Sequence, residues 1–524
     1  MPISALTGLI GMASLLGIAY AFSNNRKAID WRLVVSGLSL QLFLAVFCLK
    51  FELGRILFQK LGHVIEILLS FSDKGATFVF GFLVGQPDRL VEFFGPGANF
   101  IFAFKLIPTI IFMSMLVGIA YHLGLMQRIV QVVAILVNKL MGVSGAEALS
   151  NSASIFVGQV EAQLLIKPYL STMTRSEILA VMAGSMACIA GGVMAIYIQM
   201  GVPASYLLTA SIMAVPGALV IAKIVYPETQ EPVTRGTVRL EIEKHSVNLL
   251  DAASTGAAEG LKIGLNVLAM LVGFISLIAL LDFVIAKAGL GLASAGITLQ
   301  SVGLDVNHLS LNTILGSMFY WVALLIGVPA QDATIVGGLM GTKIVVNEFV
   351  AYASLTSLLG QLDPKSITIA SFALCGFANL SSVAVQIGGI GAMAPERKKD
   401  LAELGIRALL CGTMASYISS ALAGVLTSLP SDGNDLVLAL GLMTFAIAAL
   451  MGANFWHRAE QVKNQTQTLP PIPSKIMLKP ELMKAVQEEK MKRHVILDDL
   501  GQTSDAEPQA RLHQQANTDD ASLV

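Results

Sequence analysis

The sequence predicts an all-α polytopic membrane protein, and three observations carry that prediction. Only 13% of the 524 residues are charged, against roughly 25% in soluble domains. Mean hydropathy is +0.71. Apolar runs of roughly the 20 residues that cross a bilayer recur at 5–22, 33–49, 100–123, 178–200, 206–226, 261–285, 311–328, 404–429 and 436–455.

Each run has its own signals. The first is followed, not preceded, by basic residues (Arg26 and Lys27). That is the reverse of a cleavable leader, so it reads as a retained span with its N-terminus outside. Residues 51–82 mix Glu52, Arg55, Lys60 and Glu66 with apolar side chains, which suits a helix lying at the membrane surface. Residues 128–140 are too short for a full span and read as an oblique or interfacial helix. Lys167 and Arg175 mark a cytoplasmic turn, as do Arg397, Lys398 and Lys399. Two more spans then return His457, Arg458 and Lys463 to the cytoplasm. The tail from His457 to Val524 carries 19 charged residues, an extended linker around Pro470, Pro471 and Pro473, and a helical pattern at 480–500.

Two regions break the pattern. Residues 146–170 hold Asn151, three serines, Gln159, Glu161, Gln163 and Lys167-Pro168; residues 370–395 hold Gly376, Asn379, Ser381, Ser382 and Gln386. Such segments re-enter the membrane or unwind inside it, which is tolerated only where protein covers the backbone or a wet cavity meets it. Interruptions at corresponding places in two halves point to a transporter's binding site. The halves do correspond loosely: Glu161 precedes the small-residue stretch 183–188, and Glu348 precedes 373–379. The chain therefore divides into N-terminal membrane and interfacial helices (1–94), a first core half (95–226) with a hairpin at about 146–170, and a second half (227–429) with the Glu348 motif and a hairpin at about 370–395. An additional C-terminal transmembrane helix (430–456) and a polar, partly disordered cytoplasmic tail (457–524) follow.

Several function classes drop out. A net charge of −1 without a basic stripe excludes a nucleic-acid partner. Cys48, Cys188, Cys375 and Cys411 sit in apolar runs without metal or redox spacing and read as small buried hydrophobes. His63, His122, His245 and His308 have no ligand spacing, and no nucleophile–base pair stands out, so the chain does not read as an enzyme and implies no cofactor. Gly337-Gly338-x-x-Gly341-Thr342-Lys343 superficially suggests a phosphate loop but lacks its spacing. Asp282 and Lys287 read as a structural pair at a span end, and Asp332 as an N-cap.

Glu161 and Glu348 carry the functional reading. A carboxylate at membrane depth costs about 2.5 kcal/mol or more, so it usually faces a cavity and works there. With Gln159 and Asn347 beside them, they look like two halves of a site for a polar solute.

Three ordered motifs then match a known family: Gly158-Gln159-x-Glu161-Ala162, Asn347-Glu348-Phe349-Val350-Ala351-Tyr352 and the stretch from Ser371 to Ser382. With Gly388-Gly389-x-Gly391-x-Met393-Ala394-Pro395 in support, the chain resembles the concentrative nucleoside transporters over about residues 95–424. The resemblance implies an inverted-repeat secondary transporter with two re-entrant helical hairpins and partly unwound helices. It further implies a homotrimer in a bacterial inner membrane, elevator-like movement, and nucleoside uptake driven by co-transported H+ or Na+. By resemblance, Gln159, Val160 and Glu161 meet the nucleobase, Glu348, Asn379 and Ser382 the ribose hydroxyls, and Phe377 packs on the nucleoside. An amide and a carboxylate suit these partners chemically.

The resemblance also implies an ion site formed by Ser154, Val157, Cys188 and Ile189. Ser154 stands where sodium-coupled members have asparagine and Cys188 where they have serine, and a neutral thiol is a poor partner for hard Na+. Val160 lacks the hydroxyl usual at its position, and Gln163 replaces a common proline. The expectation is proton coupling through Glu161 or Glu348, with a Na+ symporter or an uncoupled facilitator of the same fold as the alternatives.

Overall fold

The bilayer leaves a chain of this composition little choice but helix, because only internal backbone pairing satisfies N–H and C=O groups in hydrocarbon. The computed structural model describes residues 3–85, 87–95, 101–236, 246–295, 305–428 and 441–453. Among these, all regular structure is helical. The tail at 457–524, the link at 430–440 and His245 lie outside the described residues.

The N-terminal part comprises α1 (Ile3–Ala21), α2 (Trp31–Leu49), α3 (Glu52–Phe80), the short α4 (Phe82–Gly85) and α5 (Pro87–Phe94), then α6 (Phe102–His122) and α7 (Leu125–Met141). Asp30 starts α2 by accepting from the N–H groups of Arg32 and Leu33 at 3.0 and 3.2 Å, the usual service of an N-cap carboxylate.

The first half of the core is a hairpin followed by an interrupted helix. Its arms are α8 (Gly145–Ala153) and the single turn α9 (Glu161–Leu164). Gln163 ties the returning arm down: its Oε1 accepts from Ser150 Oγ at 2.8 Å and its Nε2 donates to Ser185 Oγ at 2.5 Å. The span expected to be continuous at 178–200 is broken instead into α10 (Arg175–Ala187) and α11 (Gly191–Gln199) at residues 188–190. The break is fixed by the hairpin tip, since Gly191 N–H donates to Phe156 O at 3.0 Å. α12 (Ala204–Val225) closes this half.

Next, α13 (Leu249–Ser294) runs for 46 residues, far beyond the expected 261–285. It packs antiparallel on α6 along glycines four residues apart: a Cβ at Gly256 would stand 2.7 Å from Ser114 O, and one at Gly260 2.7 Å from Ile111 Cα. Small residues at this spacing let helices approach closely in lipid. The second half then repeats the first. After α14 (Leu311–Leu325), α15 (Ala333–Val345) and α16 (Glu348–Ser357) form a hairpin. Its open end is pinned by Asp332, which does not cap its helix as expected but accepts from Asp363 N–H at 3.0 Å. An interrupted helix follows, α17 (Pro364–Leu374) and α18 (Leu380–Met393).

The segment 370–395, expected to re-enter, therefore does not double back. Both its pieces lie antiparallel along α19 (Lys398–Thr427): Ile369 O accepts from Ser420 Oγ at 2.9 Å, while Val383 faces Gly405 further back along α19. The second hairpin is α15–α16, and it carries Glu348. The apolar character of 370–395 comes from packing on α19, whose predicted start at 404 lies six residues late. The last described helix, α20 (Gly441–Ala453), falls within the run expected at 436–455.

One expectation about charges changes as well. Asp282 does not pair with Lys287; it accepts from Leu311 N–H at 2.6 Å at the start of α14, and Lys287 lies over the Phe283 ring at 5.6 Å. The glycines of the phosphate-loop lookalike are on α15, where Gly341 would bring a Cβ within 2.7 Å of Leu315 Cβ on α14. They are packing residues.

Candidate functional site

Glu161 and Glu348 hold equivalent places: each is the first residue of the returning arm of a hairpin. The C-caps of α10 and α17 also correspond, and both are cysteines, Cys188 and Cys375. The two helix interruptions meet, with Phe377 N–H donating to Cys188 O at 3.3 Å. Gly376 makes the crossing possible. Its φ is +122°, and a Cβ there would lie 2.6 Å from Ala187 O, so only glycine fits.

Glu348 is nearly sealed, at 6% exposure. Asn347 caps α16 by accepting from Val350 N–H at 2.9 Å, which sets the turn that aims the next side chain. Glu348 Oε2 accepts from Asn379 Nδ2 at 2.9 Å and Oε1 from Tyr197 Oη at 3.1 Å. The Asn379 amide has its orientation fixed, because its Oδ1 accepts from Ser382 N–H at 2.8 Å and from Ser381 Oγ at 2.7 Å. The N-cap of α18 is thus also the partner of Glu348.

From Ser382 the network continues to the first hairpin. Gln159 Nε2 donates to Ser382 Oγ at 3.3 Å, and Gln386 Nε2 donates to Gln159 Oε1 at 3.3 Å. Asn379, Ser382 and Gln386 share one face of α18 at spacings of three and four residues. Val160 packs on Gly389 of the same helix, where a Cβ would stand 2.6 Å from Val160 Cγ2. Phe377 is half-buried. Glu161 differs from Glu348: it is exposed, and its carboxylate folds against Gly158 without a hydrogen-bonding partner among the described residues.

Of the site residues expected from the sequence, Gln159, Val160, Glu348, Asn379 and Ser382 thus converge, with Glu161 two residues from Gln159. Tyr197, Ser381 and Gln386 join them, although sequence reasoning assigns none of the three to the site. Gln386 is legible as a polar residue seven positions, two helical turns, after Asn379. Tyr197 is hidden in a run whose only signal is its hydropathy.

The expected ion ligands surround the first interruption. Ser154 Oγ donates to Ser150 O at 2.9 Å, and Cys188 Sγ donates to Ser211 O at 3.7 Å. The carbonyls of Val157 and Ile189 accept no hydrogen bond among the described residues. Hard carbonyl oxygens suit an alkali cation, while the thiol does not.

Comparisons with known proteins agree with this architecture. Residues 10–83 and 206–424 match the N-terminal and C-terminal models of Na+ dependent nucleoside transporters, and residues 103–204 match a nucleoside-recognition gate model. The chain is 40% identical over 436 residues to nucleoside permease NupC of Helicobacter pylori, covering 82% of this chain and 99% of the permease. It is 36% identical over 437 residues to mouse sodium/nucleoside cotransporter 1, covering 80% of this chain and 64% of the cotransporter. Among solved structures, CNTnw in an inward-facing substrate-bound state superposes with a TM-score of 0.74 at 40% identity, covering 82% of this chain and 99% of that one. A substituted CNTnw in an outward-facing state gives 0.76 at the same identity, covering 82% and 100%. These relatives are transporters rather than enzymes, and the chain belongs to the concentrative nucleoside transporter family.

Proposed function

We propose that this protein imports nucleosides across a bacterial cytoplasmic membrane by cation symport, with H+ as the coupled ion. The observation that carries the reading is the continuous network Glu348–Asn379–Ser382–Gln159, which joins the two hairpins through one interrupted helix. A carboxylate beside an amide complements the vicinal hydroxyls of ribose, which both donate and accept. We assign the ribose to Glu348, Asn379 and Ser382. The nucleobase goes to Gln159, Val160 and Glu161, and Phe377 packs on the nucleoside. A site that bonds hydroxyls in this way rejects analogues lacking them, because its own polar groups are left unpaired.

Proton coupling is supported by the contrast between the two acids. Glu348 accepts from two donors and is held in place, whereas Glu161 is exposed and free of hydrogen-bonding partners among the described residues. Glu161 is therefore the better placed to take up and release a proton. Cys188 in the ion-ligand set disfavours Na+. One observation favours a second reading, Na+ symport: the carbonyls of Val157 and Ile189 accept no hydrogen bond among the described residues.

The outward face of α13, with Leu265, Val272, Ile275, Leu280 and Phe283 exposed, supports burial against lipid or further copies of the chain, and we assign a homotrimer with elevator-like movement on the family pattern. The tail from His457 to Val524 is assigned to the cytoplasm. Uptake of labelled uridine into proteoliposomes, competed by adenosine, 2′,3′-dideoxyuridine and free uracil, tests the substrate class. Competition by nucleosides but not by the free base is expected; equal competition by uracil would contradict it.

A further inference from the structure

Lys343 is the one lysine on the described part of the second hairpin, and it is fully buried, at 0% exposure. It lies near the C-terminal end of α15, five residues before Glu348. A lysine at such a place is rare and expensive unless its charge is met. Among the described residues its Nζ forms no salt bridge. It donates instead to two backbone carbonyls, Ala373 O at 2.8 Å and Cys375 O at 3.5 Å.

Those carbonyls end α17. A helix leaves its last four C=O groups unpaired, and its C-terminus carries a partial negative charge that favours a cation. Three of the four orphans of α17 can be followed individually. Ser371 O accepts from Tyr352 Oη at 2.7 Å, Phe372 O from Cys375 N–H at 3.2 Å, and Ala373 O from Lys343. Cys375 O also accepts from Ser416 Oγ at 2.9 Å. Two of these donors, Tyr352 and Lys343, come from the hairpin that carries Glu348. Immediately beyond Cys375 lie Gly376, Phe377 and Asn379, so the ammonium fixes the chain that delivers Asn379 to Glu348. The two halves also compare directly. In the first, the C-terminal end of α10 lies beside the tip of its hairpin, where the ion ligands were expected. In the second, the end of α17 lies beside its own hairpin, and a tethered ammonium occupies that position.

We propose that Lys343 is a resident cation that holds the α17 terminus against the second hairpin and thereby positions Asn379 opposite Glu348, making it a determinant of ribose selectivity. The proposal rests on the assignment of Glu348 and Asn379 to the sugar. It does not depend on which ion is coupled.

The test uses the full-length protein in proteoliposomes and compares uridine with 2′,3′-dideoxyuridine. Wild type should prefer uridine; loss of all nucleoside uptake by wild type would sink the functional reading itself, separately from this one. K343M, shown to be folded by a monodisperse elution profile and a cooperative melt, should raise KM for uridine at least tenfold and shrink the uridine preference by a similar factor. K343R should recover part of both. A folded K343M with KM and preference within twofold of wild type would overturn the proposal. If K343M does not fold, K343A is purified in n-propylammonium or in n-propanol. Rescue of folding and uridine preference by the amine alone supports a resident cation; rescue by the alcohol as well, or by neither, overturns it.

Discussion

Asn379 offers Glu348 a donor that cannot be exchanged for an acceptor. Its Nδ2 lies 2.9 Å from Glu348 Oε2, and its Oδ1 is committed to Ser382 N–H at 2.8 Å. Turning the amide over would break the cap of α18 and set two acceptors against each other. The site is therefore polarised before any solute arrives, with Glu348 accepting and Asn379 donating.

Glu348→Gln is the direct consequence. The new amide can keep one acceptor but loses the charge, and a buried hydrogen bond to a charged group contributes about 1.5–3 kcal/mol. We expect kcat/KM for ribonucleosides to fall roughly 10- to 100-fold, and less for 2′,3′-dideoxy analogues. Initial-rate uptake by the folded variant measures both; normal uridine uptake would exclude Glu348 from the sugar site.

Gly376→Ala tests the crossing of the two helix interruptions. At φ +122° an alanine is strained, and its Cβ would stand 2.6 Å from Ala187 O. Strain of this kind costs on the order of 1–3 kcal/mol, so the melting temperature should drop and transport should be lost. An alanine variant with wild-type stability and uptake would show that the crossing is not tight.

Gln386→Ala removes the partner that holds Gln159 Oε1 at 3.3 Å. Losing one neutral hydrogen bond is worth about 0.5–1.5 kcal/mol. The ratio of uridine to adenosine uptake should shift by roughly 2- to 10-fold while discrimination at the ribose persists. If ribose discrimination shifts and base preference does not, the division of the site is wrong.

Lys223 should matter for stability rather than selectivity. It pairs with Glu147 and, at 3.3 Å, with Glu228, and donates to Ser176 Oγ at 2.9 Å, joining α12 to the starts of α8 and α10. Its two close neighbours at those starts, Glu147 and Glu177, each close a capping box. Removing one partner of a buried ion pair costs about 3–5 kcal/mol. Lys223→Met should melt well below wild type in detergent, and adding Glu147→Leu should restore part of the loss. A single variant as stable as wild type would show that the cluster contributes little.

What the sequence makes legible is what hydropathy and local chemistry encode. Glu161, Glu348, Gln159 and Asn379 stand out because polar side chains are costly in lipid. The spans at 33–49 and 206–226 stand out because they are long and uninterrupted. The break at 188–190 is hidden because its cause is tertiary: Phe156 accepts from Gly191, and nothing in an Ile- and Ala-rich run records that contact. The glycines at 370–395 resemble a re-entrant loop and so suggest the second hairpin there, whereas Gly389 and Gly391 pack on Val160 and Lys398 and Gly376 makes one positive-φ turn. Lys343 is inconspicuous inside a glycine-rich lookalike, since its role exists only once α17 ends beside it.

The coupling of uptake to an ion gradient is tested most directly by accumulation of labelled uridine in proteoliposomes with Na+ and pH gradients imposed separately. Concentrative uptake driven by an inward proton gradient without Na+, and abolished by a protonophore, is the expected result. Strict dependence on Na+, or equilibration without accumulation under either gradient, would contradict it.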